Sequence, residues 1–426
     1  MNELSDALTM QYVNRIQEAT IKLDGITLIA GKNATGKSTI VKMLDCFLDL
    51  FMGLNRKIRF ERRRSLHGLI DTWLDITIPT FDSSKRFEVL SLILDQIDKN
   101  CLKSIDESFL ITVAKNYTPK DNLAGHSIPE QDASRKNIID RINAALSRSD
   151  EDYRNSLMDD RLKQTFSGSL NSFLEKRISP TVSLSLNGQE VSWTFDEQNY
   201  PIVTGNSLQT KLSCIALLSP RKVISDNRKI VFLGRSFHSS TSATTNYLDS
   251  FHEKESLTYE AKEDRKNDIS TFESIIDPII HGQIVRNPAS HEMQFHDEVF
   301  EKDIPLSNVA DGILPFAIIE SAIQMGKLKR NGFLLVDEPE MNLHPEWQVK
   351  FARLLVELNT QMGIHVVASS HSPFFIRALE LVLNEHENKS AFYLMEASDN
   401  SLYSAKDVTD NLKAIYDELY LPLQGL

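Results

Sequence analysis

The stretch that decides the fold runs Gly31, Lys32, Asn33, Ala34, Thr35, Gly36, Lys37, Ser38, Thr39. It satisfies the pattern GxxxxGK[ST] in full, follows the predicted strand 27–30, and begins a helical pattern. Glycines let the backbone turn tightly, so that successive N–H groups and the helix N-terminus converge on phosphate oxygens. Lys37 would neutralise phosphate charge and Ser38 can ligate Mg²⁺. Residues 31–38, the phosphate loop, therefore predict a site for ATP and Mg²⁺.

A second motif is predicted to complete this site. The apolar run 333–336 reads as a buried strand, and Asp337 and Glu338 follow it. Such a strand presents ligand chemistry at its C-terminal end. Asp337 would hold Mg²⁺, directly or through water, and Glu338 would orient and polarise the attacking water. The alternative is a strand that ends in a solvated acidic turn.

A histidine follows the next predicted strand. His371 lies in the sequence Ser369-Ser370-His371-Ser372-Pro373, after Asn342-Leu343-His344-Pro345. From the end of its strand it could reach the γ-phosphate and report whether that group is present. A structural role for the histidine is the alternative.

Length and composition are those of an ordinary globular protein. The chain has 426 residues, 41% of them hydrophobic, which predicts one large domain or two to three small ones. Its formal net charge of −12 argues against an overall basic surface for nucleic acid, although a local patch stays open. Three scattered cysteines make zinc and a disulfide framework improbable. With no long apolar run and no basic start, we expect a cytoplasmic protein without membrane contact.

Two hairpins are predicted from turn dipeptides. Residues 18–30 read as two strands joined at Asp24-Gly25. Residues 182–195 alternate on both sides of Asn187-Gly188, which predicts that Leu184 pairs with Val191 and Val182 with Trp193. Residues 229–233 read as a further strand, and 236–246 as a loop.

The rest of the chain divides by its periodicity. Residues 51–180 are poor in glycine, and their apolar residues recur at helical spacing between prolines, which predicts several moderate helices and no long coiled coil. The last third alternates short apolar strands with helical patterns, which favours a parallel α/β sheet. The predicted strands are 333–337, 364–369 and 391–395, and the helices are 346–361, 374–386 and 407–420.

The motifs GKNATGKST, LLVDEP, NLHP and SSHSP together resemble ABC-type ATPase heads of the SMC/RecF/OLD superfamily. In more detail they look like bacterial AAA_15/AAA_21-type ATPases, many of which belong to anti-phage systems such as Septu, retron-associated and PARIS-like operons. The resemblance implies an α/β ABC-type P-loop head, with a mixed sheet and an antiparallel β subdomain. The head would comprise 1–50 and 180–426, with a helical insertion at 51–179.

The resemblance also implies a signature segment that caps the nucleotide of a partner subunit. Residues 306–312 are the candidate, with Ser307 and Gly312 facing the γ-phosphate of the other protomer in a homodimer. Relatives commonly carry a lysine after the glycine, whereas this chain has Ile313-Leu314-Pro315. The Q-loop glutamine is unassigned: Gln164 and Gln209 are alternatives, and Gln283 lies too close to the signature segment.

The same resemblance suggests a sensor subunit that controls a separate effector nuclease or toxin in anti-phage defence. A DNA-repair ATPase that clamps DNA is the alternative, although the insertion is short for coiled-coil arms. A nuclease of the OLD type would need a TOPRIM domain, and only 55 residues follow His371. A transporter ATPase fits poorly, because the signature segment departs far from the transporter sequence.

A basic cluster lies at the start of the predicted insertion. Residues Arg56–Arg64 include six basic side chains in nine positions. A solvated helix face is one interpretation, and binding of nucleic acid or an acidic partner is the other.

Overall fold

A computed structural model gives the fold of the chain. It describes residues 6–51, 53–78, 83–117, 133–166, 179–195, 201–205, 213–218, 259–276, 279–287, 289, 293–324, 326–398 and 401–420. The chain divides into two compact units, the first formed by residues 1–52 and 160–426 and the second by residues 53–159.

The described strands are β1 (Ala7–Val13), β2 (Ile16–Lys22), β3 (Ile26–Ala30), β4 (Thr181–Leu186), β5 (Gln189–Phe195), β6 (Pro201–Gly205), β7 (Cys214–Leu217), β8 (Gly282–Arg286), β9 (Met293–Asp297), β10 (Lys302–Pro305), β11 (Phe333–Asp337), β12 (His365–Ser370), β13 (Ser390–Ala397) and β14 (Tyr403–Asp407). The described helices are α1 (Lys37–Phe51), α2 (Leu54–Thr77), α3 (Ser83–Lys99), α4 (Glu107–Tyr117), α5 (Ala133–Ser147), α6 (Asp150–Phe166), α7 (Tyr259–Ile276), α8 (Leu314–Gln324), α9 (Pro345–Met362), α10 (Pro373–Leu383) and α11 (Lys413–Tyr420).

Within the described residues, eleven strands form one mixed sheet in the order β6-β5-β4-β1-β2-β14-β13-β3-β12-β11-β7. The half from β13 to β7 is parallel, and the half from β6 to β2 is antiparallel. The predicted fold class, α/β with a mixed sheet and an antiparallel part, is confirmed.

The parallel half carries the main apolar core. All five residues of β3 are buried, as are all five of β11. A strand buried on both faces needs mostly apolar side chains, and β3 and β11 supply them at all positions except Thr27 and Asp337. Helices α8, α9 and α10 contribute further buried side chains to the same cluster. This packing fixes the ends of β3, β11 and β12 relative to one another.

The hairpin predicted at Asp24-Gly25 is wrong. Strands β2 and β3 do form, but β14 and β13 lie between them in the sheet. The backbone N–H groups of the connection bond elsewhere: Gly25 N donates to His365 Nδ1 at 3.2 Å, and Ile26 N donates to Lys389 O at 2.9 Å. A Cβ on Gly25 would come within 2.0 Å of Lys389 O, so glycine is needed for close backbone approach.

Other sequence predictions hold. Strands β4 and β5 pair as predicted, with Leu184 opposite Val191 and Val182 opposite Trp193. The three strands of the last third are present as β11, β12 and β13, and α9 and α10 follow the first two. The helix predicted at 407–420 begins only at Lys413, because Tyr403–Asp407 pair with β13. The predicted strand 229–233 and loop 236–246 lie outside the described residues.

The second unit is helical in its described residues and has its own apolar core. Side chains from α2, α3, α4 and α5 form that core, including Leu90, Ile93 and Ile142. A buried polar contact crosses it, because Glu107 Oε1 lies 3.3 Å from Arg135 NH1 and accepts a hydrogen bond from Trp73 Nε1 at 3.2 Å. The moderate helices that periodicity predicts for residues 51–180 are thus present in the described part of this unit, whose bounds of 53–159 differ from the predicted 51–179.

Candidate functional site

The site lies where three neighbouring parallel strands end. Strands β3, β12 and β11 are adjacent in the sheet, and their carboxyl ends carry the phosphate loop, His371 and Asp337 respectively. The register sets Asp337 opposite Ser369 and Ser370 opposite Ala30. Motifs that are about 300 residues apart in sequence thus meet at the edge where α/β sheets carry ligand chemistry.

The phosphate loop is held by its own side chains. Lys37 Nζ donates to Lys32 O at 2.6 Å, and Thr35 Oγ1 donates to the same oxygen at 2.9 Å. Gly36 has a φ of +104°, and a Cβ there would lie 2.9 Å from Ile16 Cγ1. Glycine is therefore required at this position for both backbone conformation and space.

Other residues of the loop face outward or begin α1. Lys32, Asn33 and Ala34 are exposed, and Lys32 Nζ pairs with Glu418 Oε1 at 2.6 Å. Gly31 is buried at the end of β3, and Thr39 N donates to Gly36 O at 3.0 Å in the first turn of α1. Exposed N–H groups at a helix start are suited to anionic ligands.

Lys37 is buried among three carboxylates. Burial lowers the pKa of its ammonium group, and the negative charges of Glu338, Asp337 and Glu340 oppose that shift. A buried cation beside acidic side chains supplies the positive charge that phosphate groups need.

Asp337 joins the two halves of the site. Its Oδ1 accepts a hydrogen bond from Ser38 Oγ at 2.9 Å and another from Ser369 Oγ. A serine hydroxyl and a carboxylate side by side are hard oxygen donors of the kind Mg²⁺ prefers. The donor set at Ser38 and Asp337 therefore fits a Mg²⁺ ion beside phosphate oxygens.

Glu338 and His371 lie directly after the ends of β11 and β12. Glu338 has a φ of +52°, and its backbone N–H donates to Ser369 O at 2.9 Å. Its side chain is partly exposed, with Oε1 3.4 Å from His371 Nδ1. A left-handed backbone is uncommon for a residue other than glycine and is found at functional positions. The turn directs Glu338 away from the line of β11.

Sequence reasoning gave no role to three further residues at this edge. Ser369 bonds Asp337, and Glu340 is a buried carboxylate that accepts hydrogen bonds on both sides of His371. Arg15 NH1, in the turn between β1 and β2, donates to Ala34 O of the phosphate loop at 3.1 Å. Of these three residues, only Glu340 had a signal in the sequence, because it is an acidic residue two positions after Glu338.

The signature segment lies between β10 and α8. Ser307 is exposed in a short 3₁₀ turn, and its Oγ donates to Asn308 Oδ1 at 3.4 Å. Gly312 stands against the indole of Trp347, where a Cβ would be at ordinary contact distance of 3.5 Å. Helix α8 begins at Leu314 with Pro315 in its first turn, as predicted.

The glutamine alternatives are also separated. Gln164 is exposed on α6, and Gln283 on β8 accepts a hydrogen bond from Gln324 Nε2 at 3.3 Å. Gln209 lies outside the described residues. A Q-loop residue stays unassigned.

The basic cluster lies on α2 and is paired within the second unit. Arg62 NH2 contacts Asp150 Oδ1 at 2.6 Å, and the guanidinium stacks over the Tyr153 ring. Arg63 contacts Asp95 at 2.6 Å and Asp98 at 2.5 Å. These contacts favour the interpretation of Arg62 and Arg63 as structural side chains.

The described residues lack the features of two other classes of site. Within them, no helix combines the length and apolar character that a membrane crossing requires. The same residues contain no group of three or more histidine, cysteine, aspartate or glutamate side chains arranged to hold a metal ion by themselves. All three cysteines are free.

A phosphate loop joined to a carboxylate at the end of a second parallel strand of the same sheet is the arrangement of P-loop ATPases, and the site defines this class. The chain belongs to the AAA ATPase domain family AAA_15, which matches residues 14–376. This match confirms the predicted resemblance at the level of the ATPase family, and it supports ATP hydrolysis as the activity of the chain.

One curated relative is the OLD nuclease of Thermus scotoductus (strain ATCC 700910 / SA-01). It is 33% identical over 89 residues, which is 20% of this chain and 16% of that protein. The chain thus matches about a sixth of the length of this curated relative.

Two solved structures are similar to the chain. One is the SMC head domain from Thermotoga maritima, with 12% identity, a TM-score of 0.35 and coverage of 95% of this chain and 98% of that one. The other is an SMC head bound to the C-winged helix domain of ScpA, with 11% identity, a TM-score of 0.44 and coverage of 94% and 96%.

Proposed function

We propose that the chain is an ATP-binding and ATP-hydrolysing switch subunit of a bacterial anti-phage system. It would form a homodimer around ATP and control a separate nuclease or toxin. The observation that carries the ATPase part is the bond from Ser38 Oγ to Asp337 Oδ1, because it joins residues 299 positions apart into one site. The defence role rests on the similarity of the sequence motifs to those of anti-phage ATPases.

The residues present fit both ATP and Mg²⁺. Ser38 and Asp337 would hold the metal ion, while Lys37 and the N–H groups of the phosphate loop would hold the phosphates. Bound there, Mg²⁺ supplies positive charge that offsets the charge of the phosphate oxygens.

Glu338 is the candidate catalytic residue for hydrolysis. Its carboxylate would accept a hydrogen bond from the attacking water and orient it toward the γ-phosphorus. His371 would contact the γ-phosphate side of the site, and its Nδ1 stays 3.4 Å from Glu338 Oε1. Partial exposure of both side chains leaves them able to meet a ligand.

Dimerisation would complete each site in trans. Ser307 and the Gly312 backbone would cap the γ-phosphate held by the other protomer, and the exposure of Ser307 supports this role. A symmetric dimer then contains two composite sites, each built from both chains. Cleavage of nucleic acid is assigned to the effector and not to this chain.

Mixing two variants tests the composite site. Lys37→Ala should lose nucleotide affinity, because the buried ammonium group no longer balances phosphate charge. Ser307→Arg should bind ATP as a protomer yet fail to close, since a bulky cation would occupy the capping position. In a heterodimer of the two, one site carries both lesions and the other carries neither. ATPase activity should therefore recover on mixing, as measured by phosphate release.

Lys302→Ala, at an exposed position on β10 outside the candidate signature segment, serves as the control, and it should close with ATP in a crosslinking or scattering assay. If Ser307→Arg also closes normally, or if the mixed variants stay as inactive as each alone, the proposed sandwich is wrong. If the wild-type protein hydrolyses no ATP, the ATPase assignment itself is wrong.

A further inference from the structure

Glu340 is a buried carboxylate that no motif assigned. It lies two residues after Glu338, and its side chain is only 6% exposed. Three donors converge on its Oε1: Ser370 Oγ at 2.8 Å, His371 N at 2.9 Å and Ser372 N at 3.1 Å. One oxygen therefore fixes the backbone at His371 itself and the residues before and after it.

The same contacts extend to the start of α10. Ser372 caps this helix, because its Oγ accepts a hydrogen bond from Phe375 N at 3.2 Å. Ser372 Oγ also lies 3.4 Å from Gln348 Oε1, and Gln348 Nε2 donates to Leu343 O at 3.0 Å. The turn after β11 and the turn after β12 are thus tied together at Glu340, and His371 lies between an anchored strand and an anchored helix.

The three hydrogen bonds described above all end on one of the two carboxylate oxygens of Glu340. Glu340 Oε2 is buried and has no hydrogen-bond partner among the described residues. An unpartnered buried oxygen is costly, and each one in a native structure calls for an explanation. A neutral acceptor at this position could take the same three hydrogen bonds with less desolvation.

The carboxylate of Glu340 lies next to the imidazole of His371. His371 Nδ1 is 3.2 Å from Glu340 Oε1 and 3.4 Å from Glu338 Oε1. The third charged group nearby is the ammonium of Lys37, which interacts with both glutamates. Two carboxylates thus lie within ion-pair distance of Nδ1, although this buried nitrogen makes no hydrogen bond among the described residues. The other ring nitrogen, Nε2, would then face a ligand.

We propose that Glu340 is a positioning residue for ATP hydrolysis, which fixes the His371 loop and holds Nδ1 of the imidazole toward the carboxylates. The inference rests on the proposed function of the site, and it assigns to Glu340 an action through His371. Loss of the carboxylate should therefore change turnover and leave nucleotide affinity nearly intact.

Steady-state ATPase kinetics and binding of a fluorescent ATP analogue provide the test. Glu340→Gln keeps an acceptor for the three hydrogen bonds but removes the negative charge next to His371 Nδ1. The imidazole should then shift slightly, and kcat should fall by about 10- to 100-fold, because small displacements of a reacting group have effects of this size. Its affinity for the analogue should stay within about twofold of the wild-type value, since the phosphate loop is untouched. Glu346→Gln, an exposed carboxylate on α9, is the matched control and should change neither quantity.

A double-mutant cycle with His371→Ala separates positioning from a merely structural role. If Glu340 acts through His371, Glu340→Gln should lower kcat in the wild-type background and have no further effect in the His371→Ala background. Equal loss in both backgrounds, or wild-type kcat in folded Glu340→Gln, overturns the proposal. So does a His371→Ala variant with normal turnover.

Glu340→Asp covers the case in which Glu340→Gln does not fold. The shorter carboxylate keeps the charge but cannot reach all three donors, so kcat should fall while binding persists, and unchanged kcat contradicts the inference. Failure of the proposed function is distinct, because it would appear as absent ATPase activity in the wild-type protein.

Discussion

The strand-end site and the basic helix α2 use their charged residues in opposite ways. At the site, Lys37, Asp337 and Glu340 are buried. Asp337 and Glu340 bond to Ser38 and Ser370 of other segments, and Lys37 bonds within its own loop. On α2, Arg62 and Arg63 pair with aspartates that are more than half exposed. The sequence shows a denser run of charge on α2, yet the site contains the chemistry.

The difference teaches that position relative to strand ends is a better guide to function than the density of charge. A surface ion pair contributes little, typically about 0–1 kcal/mol, because water screens it. A charge that is buried and hydrogen-bonded is costly to keep without a role. Variants in the two regions should therefore differ in both size and kind of effect.

Glu338→Gln should give the largest effect. The amide cannot accept a proton from water, so kcat should fall by about 100- to 10,000-fold. Affinity for Mg-ATP should persist, because Lys37, Ser38 and Asp337 are unchanged, and the variant should accumulate as a closed ATP-bound dimer. Phosphate release and light scattering measure the two quantities. Wild-type turnover in this variant would contradict the assignment of Glu338.

Arg161→Met should give the next largest effect, on stability. Arg161 NH2 contacts Asp45 Oδ2 at 2.6 Å, and Asp45 is buried on α1. Removing the arginine takes the positive charge away from a buried carboxylate, which should lower the free energy of unfolding by about 3 kcal/mol. Urea denaturation measures it.

The matched control for Arg161→Met is Arg377→Met, which removes an exposed arginine that lies 2.8 Å from the partly buried Glu380. Its effect on the free energy of unfolding should be clearly smaller, because water screens the exposed guanidinium. Equal effects of the two variants would show that burial does not distinguish these ion pairs.

The smallest effects are expected on α2. Arg62→Glu with Arg63→Glu should lower the free energy of unfolding by about 1 kcal/mol, because it sets like charges against Asp150, Asp95 and Asp98. ATPase activity should not change. A second double variant, Arg59→Glu with Arg64→Glu, changes two exposed arginines and should leave the free energy of unfolding unchanged.

The same two variants decide between the interpretations of the basic cluster. If α2 binds nucleic acid, the double variant at Arg59 and Arg64 should bind it more weakly. Binding by the wild-type protein should then depend steeply on salt concentration. Fluorescence anisotropy with a labelled duplex at low and physiological salt measures it. A flat salt response and unchanged binding in both variants would leave α2 with a structural role alone.

Much of the fold could be predicted from sequence because its signals are local. Burial on both faces explains the apolar run of β3, and the Asn187-Gly188 dipeptide explains the register of β4 and β5. The phosphate loop and the strand that ends at Asp337 each carry a sequence motif, and the motif predicts the strand or helix directly beside it in the chain. Each of these features depends on residues close together in the chain.

What failed depends on distant partners. Asp24-Gly25 looks like a hairpin turn, but the neighbours of β3 are β12 and β13, and local propensity cannot reveal them. Arg15 and Glu340 acquire their contacts only when separate segments meet. The pairing of Arg62 and Arg63 likewise comes from α3 and α6, so a run of basic letters could not disclose it.

The position of β3 has a consequence for the birth of the protein on the ribosome. Gly25 and His365 bond to each other although they are 340 residues apart. At about 5–20 residues per second, translation of that interval lasts roughly 20 to 70 s, during which the largely apolar β3 has neither of its sheet neighbours. A strand that waits this long for its partners is exposed to aggregation, and the nucleotide site is among the last parts of the molecule to assemble.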